Sequence, residues 1–164
     1  MLSTRIELLQ QMPFFGAVSE DALELMLAPA RLVDVKAGEY FFREGEAASG
    51  MFVLERGRVA VRKQWQQREM LLRELGRGDC FGEMALLDLC ARSASVIALE
   101  DCSAIELTPD DLMRLFERDP AQFALIQMNI GREMSRRLRI TDEMLFRARM
   151  QETHASLEEM FRWA

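Results

Sequence analysis

From about residue 31 to residue 107 the apolar residues stop recurring at three and four and begin to alternate with polar ones. Glycine-containing turns cut this alternation every few residues: Lys36-Ala37-Gly38-Glu39, Glu44-Gly45-Glu46, Glu55-Arg56-Gly57-Arg58 and Gly76-Arg77-Gly78-Asp79. A period of two with breaks this frequent confines the middle of the chain to short antiparallel strands. The expected strands are Leu32 to Val35, Tyr40 to Phe42, Met51 to Leu54, Val59 to Val61, Met70 to Leu75, Ala94 to Leu99 and Ser103 to Leu107. Hairpin turns are expected at 55–58 and at Glu100-Asp101. The fold class that follows is mainly β with flanking α-helices, an antiparallel barrel or sandwich over about residues 31–108. No internal repeat or low-complexity stretch interrupts it.

Both flanks read as helix. Ser19 can cap a first helix that carries Glu20 and Asp21 at its positive end and Leu23, Met26, Leu27 and Ala30 at helical spacing. Pro13-Phe14-Phe15-Gly16 precedes it as a turn with two apolar anchors. After the strands, Thr108-Pro109-Asp110-Asp111 is a helix start, and Asp119-Pro120 is a second by the same logic. The first of these helices has an apolar face of Leu112, Leu115 and Phe116. The second runs without proline from Ala121 to Trp163, much longer than an average helix. Ile130, Met134, Leu138, Leu145 and Ala148, with Thr141 among them, lie close to a three-four spacing. Such a stripe is either a dimer seam or a face packed back on the chain's own barrel. Met144 to Trp163, with apolar Met150, Leu157, Met160, Phe161 and Trp163, is the expected surface for a downstream protein.

A chain of 164 residues suffices for a single domain with a core, here residues 1–164, with a C-terminal helical region over about 109–164. The net charge of −6 argues against a duplex-binding surface spread over the whole molecule, though not against a local basic patch. No signal-peptide pattern or membrane-length apolar run is present, so a cytoplasmic protein with no membrane partner is expected. Cys80, Cys90 and Cys102 are odd in number and widely spaced, which disfavours a disulfide framework or zinc site. The single histidine, His154, lies in the helical tail, so no Cys/His or Ser/His/Asp set can be assembled.

One stretch carries chemistry. Phe81-Gly82-Glu83-Met84-Ala85-Leu86-Leu87 is followed by Asp88-Leu89-Cys90-Ala91 and then Arg92-Ser93-Ala94-Ser95-Val96. Gly82 permits close backbone approach, and a turn of helix from Glu83 to Leu86 would aim N–H groups at an anion. Arg92 is a fork-shaped cation suited to phosphate, Ser93 adds a hydroxyl, and Glu83 can accept from sugar hydroxyls. The residues alone also allow a plain Glu83–Arg92 salt bridge across a loop.

The stretch closely resembles the phosphate-binding cassette of the cyclic-nucleotide-binding superfamily, to which the catabolite activator, the protein kinase A regulatory subunits and cyclic-nucleotide-gated channels belong. The upstream glycine pattern resembles the family too: Gly38-Glu39-Tyr40-Phe41, Glu44-Gly45, Met51-Phe52-Val53-Leu54 and Gly57-Arg58-Val59, led in by Pro13-Phe14-Phe15. The similarity covers roughly residues 10 to 145. It implies a jelly-roll-like barrel, a double-stranded β-helix, with a long C-terminal helix. It also implies a ligand site of Gly82, Glu83, Met84, Ala85, Arg92 and Ser93. There Glu83 would accept from the ribose 2′-hydroxyl, and Arg92 would pair with the cyclic phosphate, helped by Ser93 and N–H groups near Ala85. Arg136-Arg137-Leu138-Arg139-Ile140-Thr141-Asp142 resembles the stretch that reads adenine in the catabolite activator, with Asp142 in place of serine. Thr141 is thereby implied as the base contact and cAMP as the regulatory ligand, with cGMP the alternative. Read without the family, Thr141 is a polar seam residue, and Arg136, Arg137 and Arg139 form a solvated basic face.

No winged helix-turn-helix fits into the residues after Asp142, so no DNA binding by this chain alone is expected. The leading expectation is a non-enzymatic, dimeric cAMP-binding regulatory module without cofactor or metal, which passes its signal through the C-terminal helix to a protein partner. A transcription regulator whose DNA-binding domain is absent, and a dimerisation scaffold that binds no nucleotide, are the alternatives.

Overall fold

The computed structural model describes the backbone of residues 2–66, 68–87 and 90–162, and the side chains of those lying between 3 and 150. Asp88 and Leu89 of the cassette loop and Trp163 of the expected partner surface fall outside the described residues, and for His154, Leu157, Met160 and Phe161 only the backbone is described. Helices α1 (Leu2–Gln10) and α2 (Glu20–Leu27) lead into strands β1 (Arg31–Val35), β2 (Tyr40–Phe42), β3 (Met51–Arg56), β4 (Val59–Trp65) and β5 (Arg68–Leu75). They are followed by β6 (Cys80–Phe81), β7 (Ser95–Ala98), β8 (Cys102–Leu107), α3 (Pro109–Arg118) and α4 (Pro120–Arg162).

The strands form two four-stranded antiparallel sheets, ordered β1-β8-β3-β6 and β2-β7-β4-β5, the arrangement of an eight-stranded jelly roll. This order corrects two local expectations. The turns at 55–58 and 100–101 are not hairpins. β3 and β4 lie in different sheets, and so do β7 and β8. Each turn is an arch that carries the chain from one sheet to the other. Gly57, at φ +96°, packs one arch on the other: a Cβ there would stand 2.9 Å from the Asp101 carbonyl oxygen and 2.9 Å from Cys102 Cα. Among the described residues only β4 and β5 are consecutive strands joined as a hairpin.

Two apolar clusters result. Between the sheets, Phe42, Phe52, Leu54, Val59, Val61, Phe81, Val96 and Ala104 are buried, with Phe52 and Phe81 stacked at 5.4 Å. Elsewhere Leu9, Phe14, Phe15, Leu23, Met26, Leu107, Leu115, Ile126 and Ile130 join α1, α2, α3 and the start of α4 to Met51, Val53 and Ile105 of the strands. Burying each large apolar side chain contributes about 1.5–3 kcal/mol relative to exposure.

The helix starts follow their sequence signals. Ser19 Oγ accepts from the Ala22 N–H at 3.3 Å, and Thr108 forms a full capping box with Asp111. α1 and the two-residue β6 are additions to the expected elements. α4 corrects the seam. Ile130 is buried in its own chain's core and Met134 is partly buried there, whereas every residue from 138 to 150 is exposed, including Leu138, Thr141, Leu145 and Ala148. Among the described residues no helix is long and apolar enough to cross a membrane. Cys80 and Cys102 are buried, Cys90 is exposed, and none is in a disulfide.

Candidate cyclic-nucleotide site

β6 delivers the chain to Gly82, which sits at φ +74° and starts a 3-10 turn over Glu83–Leu86. Only glycine adopts this conformation without strain, and the space is also tight. A Cβ on Gly82 would lie 2.5 Å from Arg92 Nη1 and 3.3 Å from the Phe42 ring. The turn buries Glu83 and Ala85 and leaves Met84 half out. Across from it, Arg92 is fixed through its backbone. Its N–H donates to the Glu46 carbonyl at 2.9 Å, and its carbonyl accepts from the Gly45 N–H at 2.9 Å. The Gly-containing turn before β3 thereby holds the residue that enters β7.

Arg92 is 6% exposed. Its guanidinium lies over the Phe42 ring at 3.9 Å, and Nη1 donates to the Gly82 carbonyl at 3.2 Å. Nε is fully buried with no acceptor, and no carboxylate among the described residues lies at ion-pair distance from this arginine. Burial lowers the pKa of Arg92, opposed by the more distant charges of Glu106, Glu46 and Glu83. A buried cation with an unsatisfied donor is costly unless an anion completes it. Beside it lies a cavity of about 490 Å³, counting its open mouth.

Gly82, Glu83, Met84, Ala85, Arg92 and Ser93 all line this one cavity, together with Phe42, Val61, Arg73, Phe81 and Cys90. Three expectations change in detail. Glu83 does not pair with Arg92; its Oε1 accepts from Nη1 of Arg137 on α4. The Ala85 N–H is used inside the turn, donating to the Gly82 carbonyl at 3.2 Å. Thr141 is not at the cavity. Its Oγ1 donates to the Arg137 carbonyl at 3.0 Å, and it lines a separate groove between β5 and α4 with Leu72, Ile140 and Met144. Ser93 is exposed, its hydroxyl 3.9 Å from the Met84 sulfur and its carbonyl accepting from Lys63 Nζ at 2.8 Å.

Arg137 departs from the alternative in which Arg136, Arg137 and Arg139 form a solvated basic face. It is half-buried rather than part of a solvated face, and its Nε also donates to Glu133 at 2.9 Å. Burial pulls its pKa down, but Glu83, Glu133 and Cys80 outweigh that and raise it. The Cys80 thiol beside it is pushed up to about 12, mainly by burial and then by Glu83. It is therefore no nucleophile at neutral pH. The Glu133–Arg137 pairing at i,i+4 was readable on the helix; the bond to Glu83, 54 positions away, was not.

The sequence model of the cyclic nucleotide-binding domain matches residues 32–119, which include every strand from β2 to β8 and the whole cassette. The chain belongs to the cyclic nucleotide-binding domain family. The cyclic AMP receptor protein of Thermus thermophilus is 31% identical over 131 residues, which are 79% of this chain and 59% of that one. The cGMP-dependent protein kinase isozyme 1 of Drosophila melanogaster is 31% identical over 118 residues, 70% of this chain and 15% of the kinase. The crystal structure of the T. thermophilus catabolite activator protein superposes with a TM-score of 0.73 at 30% identity, covering 82% of this chain and 62% of that one. The chain thus spans about three fifths of the bacterial relative and a small part of the kinase. As a cyclic nucleotide-binding domain it is a regulatory fold and not a catalytic one.

Proposed function

We propose that this domain is a cAMP sensor. In this reading Arg92 holds the cyclic phosphate, Ser93 assists from the rim, and Glu83 accepts from the ribose. The observation that carries it is the buried Arg92 head, whose Nε has no acceptor beside an open cavity. cAMP is favoured over cGMP by the Arg136 to Asp142 stretch. Thr141 is the base contact in this reading, although it lines the neighbouring groove. Binding would therefore draw α4 toward the cassette.

The output would run through Arg137. A ribose hydroxyl donating to Glu83 competes with the guanidinium that ties α4 to the cassette, so the ligand has different contacts in the two helix positions. Such a difference is what a ligand-driven shift requires. The exposed α4 residues Leu138 and Leu145, with Ile140 and Met144, are the proposed seam of a homodimer, and the far end of α4 is the proposed contact with a downstream protein. The three thiols outside any disulfide fit the reducing cytoplasm.

Calorimetric titration with cAMP and cGMP tests the ligand. cAMP should bind more tightly, and Arg92→Ala should weaken it by about tenfold to a hundredfold, the loss of a charge-assisted hydrogen bond worth about 1.5–3 kcal/mol. Undiminished binding by that variant would place the phosphate elsewhere. Sedimentation at micromolar concentration tests the seam: a monomer with ligand present would remove it.

A further inference from the structure

An arginine that must grip a phosphate faces a difficulty. Its long side chain has many rotamers, and freezing one on binding opposes affinity. A carboxylate partner would order it, but only by occupying the N–H groups that the phosphate needs. The face of an aromatic ring has neither drawback. It holds a cation by its quadrupole and leaves the in-plane N–H donors free.

Phe42 meets this description. It is buried on β2. Its ring lies 3.9 Å from the centre of the Arg92 guanidinium, whereas Phe52, the next ring, is 5.8 Å away. The Gly82 backbone is the second contact, with its carbonyl 3.2 Å from Nη1 and no space for a Cβ between ring and guanidinium. Ring and Gly82 carbonyl both meet the guanidinium, and Nε remains without an acceptor. We infer that Phe42 is a positioning residue for Arg92: its ring, with the Gly82 carbonyl, pre-orders the guanidinium for an anion without placing a carboxylate on it. This rests on the reading of Arg92 as the phosphate anchor.

The test is a calorimetric titration of cAMP against wild type, Phe42→Leu, Phe42→Tyr and Phe41→Leu, with Phe42→Leu repeated in an Arg92→Ala background. Phe42→Leu should bind about threefold to tenfold more weakly, the range expected for ordering one long side chain on binding. Phe42→Tyr keeps the ring face and should bind within about twofold of wild type. Phe41 belongs to the same ring cluster, 5.5 Å from Phe52 and 5.0 Å from Phe81, so Phe41→Leu controls for general loosening of the core. It too should bind close to wild type. In the Arg92→Ala background Phe42→Leu should add no further loss. If Phe42→Leu does not fold, Phe42→Met fills the same space and replaces it. Wild-type affinity in the Arg92→Ala protein would defeat the anchor reading itself. An Arg92→Ala loss combined with a Phe42→Leu protein of wild-type affinity, or with an equal Phe42→Leu loss in its absence, would overturn the positioning role alone.

Discussion

The cassette and the foot of α4 each take the head of an arginine out of water, and they treat it in opposite ways. Arg137 has two carboxylates, Glu83 and Glu133, and its pKa is raised. Arg92 has an aromatic ring and one carbonyl, no carboxylate among the described residues at ion-pair distance, and its pKa is lowered. The first is a completed structural pair. The second keeps a buried donor that no described residue accepts from. On the proposed reading, the difference separates a cation that joins parts of the protein from one kept for a ligand: by whether the described residues already answer the charge.

The same substitution at the two sites should break the protein in different ways. The largest effect on stability is expected from Arg137→Met, which leaves Glu83 buried without its partner. Breaking a buried pair costs about 3–5 kcal/mol. With a quarter of the Arg137 side chain exposed, about 2–3 kcal/mol is expected after allowing for solvent screening, read as a lower denaturant midpoint. Arg92→Met should do the reverse. It removes a buried unsatisfied charge while roughly keeping the volume, so the denaturant midpoint should stay within about 1 kcal/mol of wild type or rise, while nucleotide binding falls. Equal losses of stability at both sites would erase the distinction.

The smallest effect is that of acid. The Glu133 pKa is held below its ordinary 4.5 chiefly by the bond from Arg136, with burial opposing and Arg137 adding to it. A carboxylate lowered in the folded state contributes stability that is complete above the unfolded value and is lost as pH falls through the folded one. Protection against hydrogen exchange around Glu133, taken relative to the intrinsic rate, should therefore fall below about pH 4.5. Glu133→Gln should flatten that dependence, and an unchanged profile would show that another carboxylate governs it.

How much of this was legible depended on the range of the interaction. Ser19 and Thr108 announce helix starts because capping is settled within three residues. The alternation of residues 31–107 identifies strands because the pleat is local. The turn at 55–58 cannot say whether β4 returns along β3 or crosses to the other sheet, since that is decided by β7 and β8, far along the chain. Ile130 and Leu138 look alike in a stripe, yet one is covered by the chain's own helices and the other is not. Within the cassette the types and spacing of Gly82, Glu83, Arg92 and Ser93 were sufficient to bring them to one cavity. The partner of Glu83 was hidden because Arg137 reads as one charge in a basic run until the fold places it.

The sheet order also has a consequence in time. β1 is an edge strand whose one neighbour is β8, and Arg31 meets Glu106 75 positions later. Chains are synthesised at about 5–20 residues per second, so β1 spends about 4–15 s made but unpaired. Throughout that interval its backbone offers a row of free donors and acceptors to any other nascent chain. The charges of Arg31, Asp34 and Lys36 interrupt the apolar Leu32, Val33 and Val35 and make identical waiting strands poor partners for one another. Arg31 and Lys36, which pair with Glu106 and Asp101 in the finished domain, thus serve earlier as charges on and beside a strand whose cover is still being made.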